Sequence, residues 1–125
     1  MGSACIITVN PVIPVKNMRE SLAYYERKLG FKKLFDDVGK GKEAITYAGV
    51  GRGTVCLHLQ AMVAGQDDAM PLIRIAVENI EALYEEYSKQ GVVAQTAHLE
   101  EKPWGSKDFG LYDPNGAAIV FYQDT

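Results

Sequence analysis

The two halves of the chain repeat one pattern of elements, at an offset of about 62 residues. Val15-Lys16-Asn17-Met18 corresponds to Val77-Glu78-Asn79-Ile80, and Gly30 corresponds to Gly91. In each half a strand precedes a helix, and three more strands follow it. A βαβββ unit of this size leaves one face of its sheet uncovered, so two units are expected to fold together. The repeat therefore predicts an α+β fold of two βαβββ repeats.

We expect one domain, in which residues 5–61 and 71–123 form the two modules and residues 62–70 form the linker. A length of 125 residues is enough for a hydrophobic core without cross-links. Cys5 and Cys56 are too few for a disulfide framework. The core is therefore expected to come from packing alone.

Start and stop signals define one helix in each half. Asn17 and Asn79 are predicted N-caps, and Gly30 and Gly91 are predicted to end the helices. Apolar residues at helical spacing lie between these signals: Met18, Leu22, Tyr25 and Leu29 in the first helix, and Ile80, Leu83, Tyr84 and Tyr87 in the second. Strands are predicted over 6–9 (continued in broken form over 11–15), 31–36, 44–50, 54–60, 72–77, 92–99, 108–112 and 117–122.

Composition excludes several classes of function. A net charge of −3 argues against general nucleic-acid binding, which needs a positive surface. Apolar runs fall well short of the roughly 20 residues that cross a bilayer. The first residues lack a basic stretch followed by an apolar run, so we see no signal peptide. We expect a cytoplasmic protein that has no membrane or nucleic-acid partner.

Three glycine- or proline-containing segments mark turns. In Asp113-Pro114-Asn115-Gly116 the proline presets φ, and Asn-Gly is expected to supply the pair of positive φ angles of a tight hairpin. Pro103-Trp104-Gly105 places the single tryptophan on a loop, where it either packs or lines a binding surface. Gly49-Val50-Gly51-Arg52-Gly53 precedes a strand, so we interpret it as a hairpin turn and not as a phosphate-binding loop.

These motifs carry a resemblance to a known family. Pro14-Val15-Lys16-Asn17-Met18, followed by Tyr24-Tyr25 and Leu29-Gly30-Phe31, resembles the opening of the vicinal oxygen chelate superfamily, which includes glyoxalase I, bleomycin-resistance proteins and extradiol dioxygenases. Pro103-Trp104-Gly105 and Asp113-Pro114-Asn115-Gly116 are similar to its C-terminal signature, most closely in the bleomycin-resistance branch. The resemblance implies paired modules curled into a half-open barrel, helices on the convex face, and a site completed in a homodimer.

The same resemblance identifies the residues that would have to bind a metal. The metal-binding members place His, Gln or Glu ligands at positions that correspond here to Asn10, His58, Leu72 and Val120. His58 is a competent ligand and Asn10 a poor one, whereas Leu72 and Val120 offer no donor atom. A catalytic divalent metal normally needs three protein ligands and an open position. We therefore expect no metal and no other cofactor, with a His58–His98 metal pair as the less favoured alternative.

Strand alternation predicts which side chains line the concave faces. If Leu57 and Leu59 face the helices, their neighbours on the same strand face the concavity. The resulting surface is apolar with a few convergent polar groups, which is the usual composition of a small-molecule site. The candidate ligand-binding residues are Asn10, Cys56, His58, Gln60, Arg74, Trp104 and Tyr122.

Several candidates also have a purely structural explanation. His58 can be a hydrogen-bonded histidine within a sheet, and Cys56 a small apolar residue. An inward-facing Arg74 needs a partner. That partner can be a structural carboxylate such as Glu43, a residue across the dimer, or an anionic group of a ligand.

The preferred function is a binding protein similar to bleomycin-resistance proteins. It would sequester an amphipathic or aromatic small molecule in a homodimer cavity, with antibiotic resistance as its role. The alternative is a metal-dependent lyase, isomerase or dioxygenase of the same superfamily. Leu72 and Val120 argue against that alternative, and the sequence has no Gly-x-Ser-x-Gly motif of a hydrolase nucleophile.

Overall fold

The computed structural model describes residues 2–38, 44–63, 69–94 and 97–125. In the described residues no helix is long and apolar enough to span a membrane. The elements, in chain order, are β1 (Val12–Val15), α1 (Met18–Ala23) with a π-helical continuation (Tyr24–Lys28), β2 (Lys32–Asp36), β3 (Tyr47–Arg52), β4 (Val55–Ala61), β5 (Leu72–Ala76), α2 (Ile80–Lys89), β6 (Glu100–Lys102), β7 (Ser106–Tyr112) and β8 (Ala118–Asp124).

The eight strands form two four-stranded sheets with the same internal order, β1-β4-β3-β2 and β5-β8-β7-β6. In each sheet the strand before the helix pairs in parallel with the last strand of its half, with Val12 opposite His58 and Arg74 opposite Val120. The other pairs are antiparallel. The repeat in sequence is thus a repeat in topology, and the predicted α+β fold of two βαβββ units is confirmed.

The first helix follows its sequence signals, and the second departs from them at its start. Asn17 Oδ1 accepts a hydrogen bond from the Glu20 amide at 3.0 Å, as predicted for an N-cap. Asn79 instead has a left-handed backbone (φ 57°) and makes no side-chain cap. The Ile80 amide donates to Gln123 Oε1 of β8 at 2.8 Å. A side chain from the sheet therefore replaces the predicted local cap.

The helix-facing residues of both sheets belong to one hydrophobic core. The predicted strand alternation is confirmed, because the residues on the helix side are buried and their strand neighbours are less so. The core joins Ile13, Val15, Leu57 and Leu59 of the first sheet, Ile73, Ile75, Ile119 and Phe121 of the second, and Leu22, Tyr25, Leu29, Ile80, Leu83 and Tyr87 of the helical segments.

The turn between β7 and β8 connects the second module to the first helix. Tyr25 Oη donates to Asp113 Oδ2 at 2.8 Å, and Asn115 Nδ2 donates to Ser21 Oγ at 3.1 Å. Asn115 Oδ1 also accepts from the Lys16 amide at 2.9 Å. All these side chains except Lys16 are buried. We call Ser21, Tyr25, Asp113 and Asn115 the buried polar clamp, since it fixes the two modules to each other.

The geometry of this turn differs from the prediction. Gly116 has a positive φ of 94°, but Asn115 does not, so the expected pair of positive φ angles is wrong. Asp113 Oδ1 accepts from the amides of Asn115 and Ala117, at 2.8 and 2.9 Å. The aspartate side chain therefore organises the turn, and only the glycine needs the left-handed conformation.

Two predicted strands are wrong. Residues 6–9 lie outside any strand, and β1 begins at Val12, since Pro11 has no amide hydrogen to extend the ladder. The described residues of 92–99 are likewise not in a strand, and β6 begins only at Glu100. The glycine-containing segment 39–42 is a further turn predicted from the sequence. It lies outside the described residues, as do Glu43 and the linker residues 64–68.

Candidate functional site

The concave face of the first sheet holds a cluster of rings around His58. Tyr47 Oη lies 2.8 Å from His58 Nδ1. The His58 ring packs edge-on against the rings of Phe35 and Tyr47, with centroids 5.2 and 5.4 Å away. We call Phe35, Tyr47 and His58 the aromatic cluster. His58 is a candidate predicted from the sequence, whereas Phe35 and Tyr47 were not predicted.

Two glycines in β3 make room for the cluster. A Cβ atom on Gly49 would overlap the Phe35 ring, and one on Gly51 would lie 2.8 Å from Leu34 Cδ1. Both glycines lie inside β3 and not in the predicted turn, which occurs instead at Gly53. Phe35 therefore lies directly on the backbone of the neighbouring strand, beside His58.

We expect Gly49→Ala to displace the Phe35 ring from the cluster. The overlap with the new methyl group should cost about 1–3 kcal/mol of stability, the usual range for overpacking. NMR shifts of the His58 ring protons should change, because the neighbouring Phe35 ring moves. The control is Gly110→Ala in β7, where the nearest atom to a new Cβ would be Ile119 O at 3.5 Å. Unchanged His58 shifts in Gly49→Ala would contradict this packing.

The remaining candidates of the first module lie beside the cluster. Cys56 is half-buried and Gln60 exposed, and alternation places both on the same face of β4 as His58. Asn10 Nδ2 donates to the backbone oxygen of Cys56 at 3.3 Å. Asn10 thus lies before β1 and is hydrogen-bonded to the start of β4, whereas Cys56, His58 and Gln60 lie on β4 itself.

The concave face of the second sheet carries an ion pair over an aromatic ring. Arg74 Nη1 lies 3.3 Å from Asp108 Oδ2. The Arg74 guanidinium carbon lies 4.4 Å from the centre of the Tyr122 ring, within cation–π range. Asp108 is buried, and its Oδ1 accepts from Ser106 Oγ at 2.5 Å. The predicted need of Arg74 for a partner is met by Asp108, which is not among the partners predicted from the sequence.

A cavity of about 490 Å³ lies over this second face. Arg74, Asp108 and Trp104 contribute to its lining, together with His98 and Lys102. The Trp104 side chain is 68% exposed, at the loop position expected from its sequence. Asp108 could have been found from the sequence, because it begins the predicted strand 108–112 and alternation places it on the face opposite Phe109 and Leu111.

The residues at the four metal-ligand positions do not fit a divalent metal. Leu72 and Val120 have aliphatic side chains. Asn10 Nδ2 donates a hydrogen bond to a backbone oxygen, and His58 Nδ1 is within hydrogen-bond distance of Tyr47 Oη. Across the described ranges, no three His, Cys, Asp or Glu side chains form a group that could hold a metal ion. The expectation of a metal-free protein stays a prediction.

This chain consists of two βαβββ modules, each with an open four-stranded sheet and a helix packed on one face of it. This architecture places it in the class of paired-module proteins. Within that class the family is established by comparison. The model of the Glyoxalase/Bleomycin resistance protein/Dioxygenase superfamily matches residues 7–121, and the chain belongs to this superfamily.

Several known proteins similar to this chain are bleomycin resistance or bleomycin-binding proteins. A bleomycin resistance protein of Geobacillus stearothermophilus is 27% identical over 127 aligned positions, covering 90% of this chain and 93% of that protein. The crystal structure of the bleomycin-binding protein of bleomycin-producing Streptomyces verticillus, in complex with copper(II)-bleomycin, has a TM-score of 0.71 at 25% identity, covering 95% of this chain and 97% of that one. A bleomycin-binding protein crystallised with bleomycin has a TM-score of 0.76 at 22% identity and covers 96% of this chain and 100% of its own.

Proposed function

We propose that this chain is a non-enzymatic binding protein that sequesters an amphipathic or aromatic small molecule without using a metal of its own. The observation that carries the proposal is the make-up of the two concave faces. They combine aromatic rings and a few fixed polar groups with aliphatic residues, Leu72 and Val120, at positions where metal-dependent members have ligands. Such faces can bind a ligand by packing and hydrogen bonding.

The comparisons support bleomycin, or a compound of similar chemistry, as the ligand. The similar proteins are named for bleomycin resistance, and two of the similar structures contain bleomycin. Tight binding would keep such a compound from its target, so antibiotic resistance is the proposed role. Trp104, the aromatic cluster and Arg74 are the proposed contacts, with Cys56, Gln60, Tyr122 and Asn10 around them.

We also propose that the functional unit is a homodimer. Ile6, Ile7 and Val9 are 96%, 88% and 84% exposed in the single chain, an unusual concentration of exposed β-branched residues. The strand β5 lies at an edge of its sheet, and β8 is its one partner among the described strands. An exposed strand edge and an exposed apolar segment are suited to pairing between two copies.

The positions of the two concave faces support the proposal of a shared cavity. In the described residues, the contacts of side chains on the concave faces join residues of the same module. Examples are Tyr47 with His58 and Arg74 with Asp108. The contacts between modules include the core, the buried polar clamp, the Arg52–Glu86 ion pair and the hydrogen bond from Tyr87 Oη to Leu29 O. In the proposed dimer each ligand cavity would therefore combine the first sheet of one chain with the second sheet of the other.

Elemental analysis of freshly purified protein, together with its mass in solution, tests this proposal. We expect no stoichiometric metal and a mass of two chains. A metal content near one per chain would contradict metal-independent binding. A mass of one chain would contradict the shared cavity.

We expect Trp104→Ala to weaken bleomycin binding by at least about tenfold, because the tryptophan ring contributes both buried area and an aromatic contact. Calorimetric titration measures the dissociation constant without depending on tryptophan fluorescence. The Trp104→Phe variant is the control, and it should lose less affinity because it keeps a ring. Since Trp104 is largely exposed, the thermal stability of both variants should match that of the parent chain. Equal affinity in parent and alanine variant would remove Trp104 from the site.

A further inference from the structure

We propose that the chain has a second small-molecule site, on the helix side of its second sheet, for an uncharged molecule that joins an aromatic ring system to a carboxamide. The site goes beyond the proposed function, since it is separate from the concave faces. Its cavity has a volume of about 710 Å³, within the usual range of ligand pockets. Ile75 and Phe121 contribute to its lining, and both are core residues on the face of the sheet opposite Arg74 and Tyr122.

The cavity occurs where the two halves of the repeat differ. In the second module, Asn115 reaches from a hairpin turn to the first helix, where it bonds to Ser21 Oγ and to the Lys16 amide. The place of Asn115 is therefore filled in that half. The counterparts at the offset of about 62 residues, all of which line the cavity, are Gly53 for Asn115, Leu83 for Ser21 and Glu78 for Lys16.

In the other half this place is open and has a hydrogen-bond donor beside it. Gly53 has no side chain to reach the second helix, and a Cβ atom built on it would meet nothing within 4 Å. The Glu78 amide, counterpart of the Lys16 amide that bonds to Asn115, has no hydrogen-bond partner among the described residues. The oxygen of a ligand carboxamide can therefore take the place that Asn115 Oδ1 holds in the first half.

Apolar side chains form the greater part of the cavity wall. Phe31 of the first module and Phe121 of the second contribute aromatic rings, and Leu83 contributes an aliphatic side chain from the second helix. Val55 and Val77 extend this apolar lining. Walls of this kind bind flat ring systems by packing. The body of the ligand is therefore expected to be an apolar ring system.

The charged groups at the cavity disfavour an anionic ligand. Arg52 and Glu86 both line it, and they form an ion pair with N–O distances of 2.7 and 2.9 Å. Arg52 also donates to Leu29 O at 2.8 Å, so its guanidinium is held by protein groups. Glu78 adds a further negative charge to the lining. A carboxylate would enter an apolar site beside this charge, whereas a carboxamide would not bring a second one.

A matched pair of probes tests the inference: naphthalene-2-carboxamide and the charged naphthalene-2-carboxylate. Titration followed by amide NMR spectra should show saturable shifts of Gly53, Glu78 and Leu83 with the carboxamide. Shifts at these residues report this cavity, whatever binds at the concave faces. The carboxylate should bind about tenfold more weakly, because its charge is buried without a partner. Glu78→Gln should narrow this difference.

A pair of phenylalanine variants tests the place of binding. Ala82→Phe puts a ring into the cavity, because Ala82 lines it, and should weaken carboxamide binding at least about tenfold. Ser88→Phe is the control, since it adds the same ring at an exposed position of the same helix outside the lining, and binding should persist. Circular dichroism checks that both variants are folded.

Three results would overturn the inference. The first is a parent chain whose Gly53, Glu78 and Leu83 signals do not move with the carboxamide, or a folded Ala82→Phe variant that binds it equally well. The second is a carboxylate that binds as tightly as the carboxamide. The third is carboxamide binding that appears only after residues 2–9 are deleted, which would assign the cavity to the N-terminal segment of a partner chain.

Discussion

Replacing Asp113 with alanine is expected to lower the free energy of unfolding by about 3–5 kcal/mol, since several buried donors lose their acceptor at once. Asp113 accepts from Tyr25 Oη and from the amides of Asn115 and Ala117. All these residues are buried, so water cannot replace the lost bonds without opening the structure. The change should both loosen the turn and release the first helix from it. Urea unfolding followed by circular dichroism measures the difference.

Two variants show whether the loss belongs to the buried polar clamp. Tyr25→Phe removes one hydrogen bond and leaves the turn bonds of Asp113, so it should cost less than Asp113→Ala. Asp36→Ala removes an aspartate from a surface pair with Lys33 and should cost less than about 1 kcal/mol. A loss in Asp113→Ala no larger than that in Asp36→Ala would contradict the role assigned to the clamp.

Raising the pH from 10 to 12 is expected to destabilise the protein steeply. Burial raises the pKa of Tyr87 to about 12, and burial together with the Asp113 charge raises the pKa of Tyr24 to about 12. Burial, the Asp113 charge and the hydrogen bond to it raise the pKa of Tyr25 further. A tyrosine of the unfolded chain loses its proton near pH 10, before the folded one does. Above pH 10 the unfolded state therefore binds fewer protons, and stability falls as the pH rises.

The slope should approach about 1.4 kcal/mol per pH unit for each fully buried tyrosine. Urea unfolding at intervals between pH 9 and 12 measures it. Tyr87→Phe removes one of the titrating groups and should reduce the slope, although the loss of its 2.7 Å hydrogen bond to Leu29 O also lowers stability at pH 9. Stability that stays constant through this range would contradict the buried, protonated state of these tyrosines.

The fold could be predicted from the sequence because its strongest signals are local and occur twice. Asn17 capped a helix, Gly30 and Gly91 took positive φ angles, and strand alternation separated helix-facing from concave residues. The misjudged elements depend on distant contacts. The cap of the second helix comes from Gln123, on the last strand. Residues 6–9 have strand-like composition, but they have no partner strand in the described chain.

The site could be predicted only in part, because it also depends on contacts between residues that are distant in the sequence. Alternation placed His58 and Arg74 on concave faces, but it could not show which side chains reach them from other strands. Phe35 lies against His58 because Gly49, on the strand between them, has no side chain. Asp108 meets Arg74 across β8, which separates their strands. Side-chain contacts between strands depend on how the strands are aligned in the sheet, and composition does not reveal that alignment.

We expect this chain to bind an aromatic or amphipathic compound without a metal of its own. Calorimetric titration of chelator-treated protein with metal-free bleomycin measures that binding. We predict saturable binding with a dissociation constant of about 1 µM or tighter, equivalent to about −8 kcal/mol. Binding should be unchanged when the protein has not been treated with the chelator. An absence of binding, or binding that requires metal restored to the protein before bleomycin is added, would contradict metal-independent binding of bleomycin by this chain.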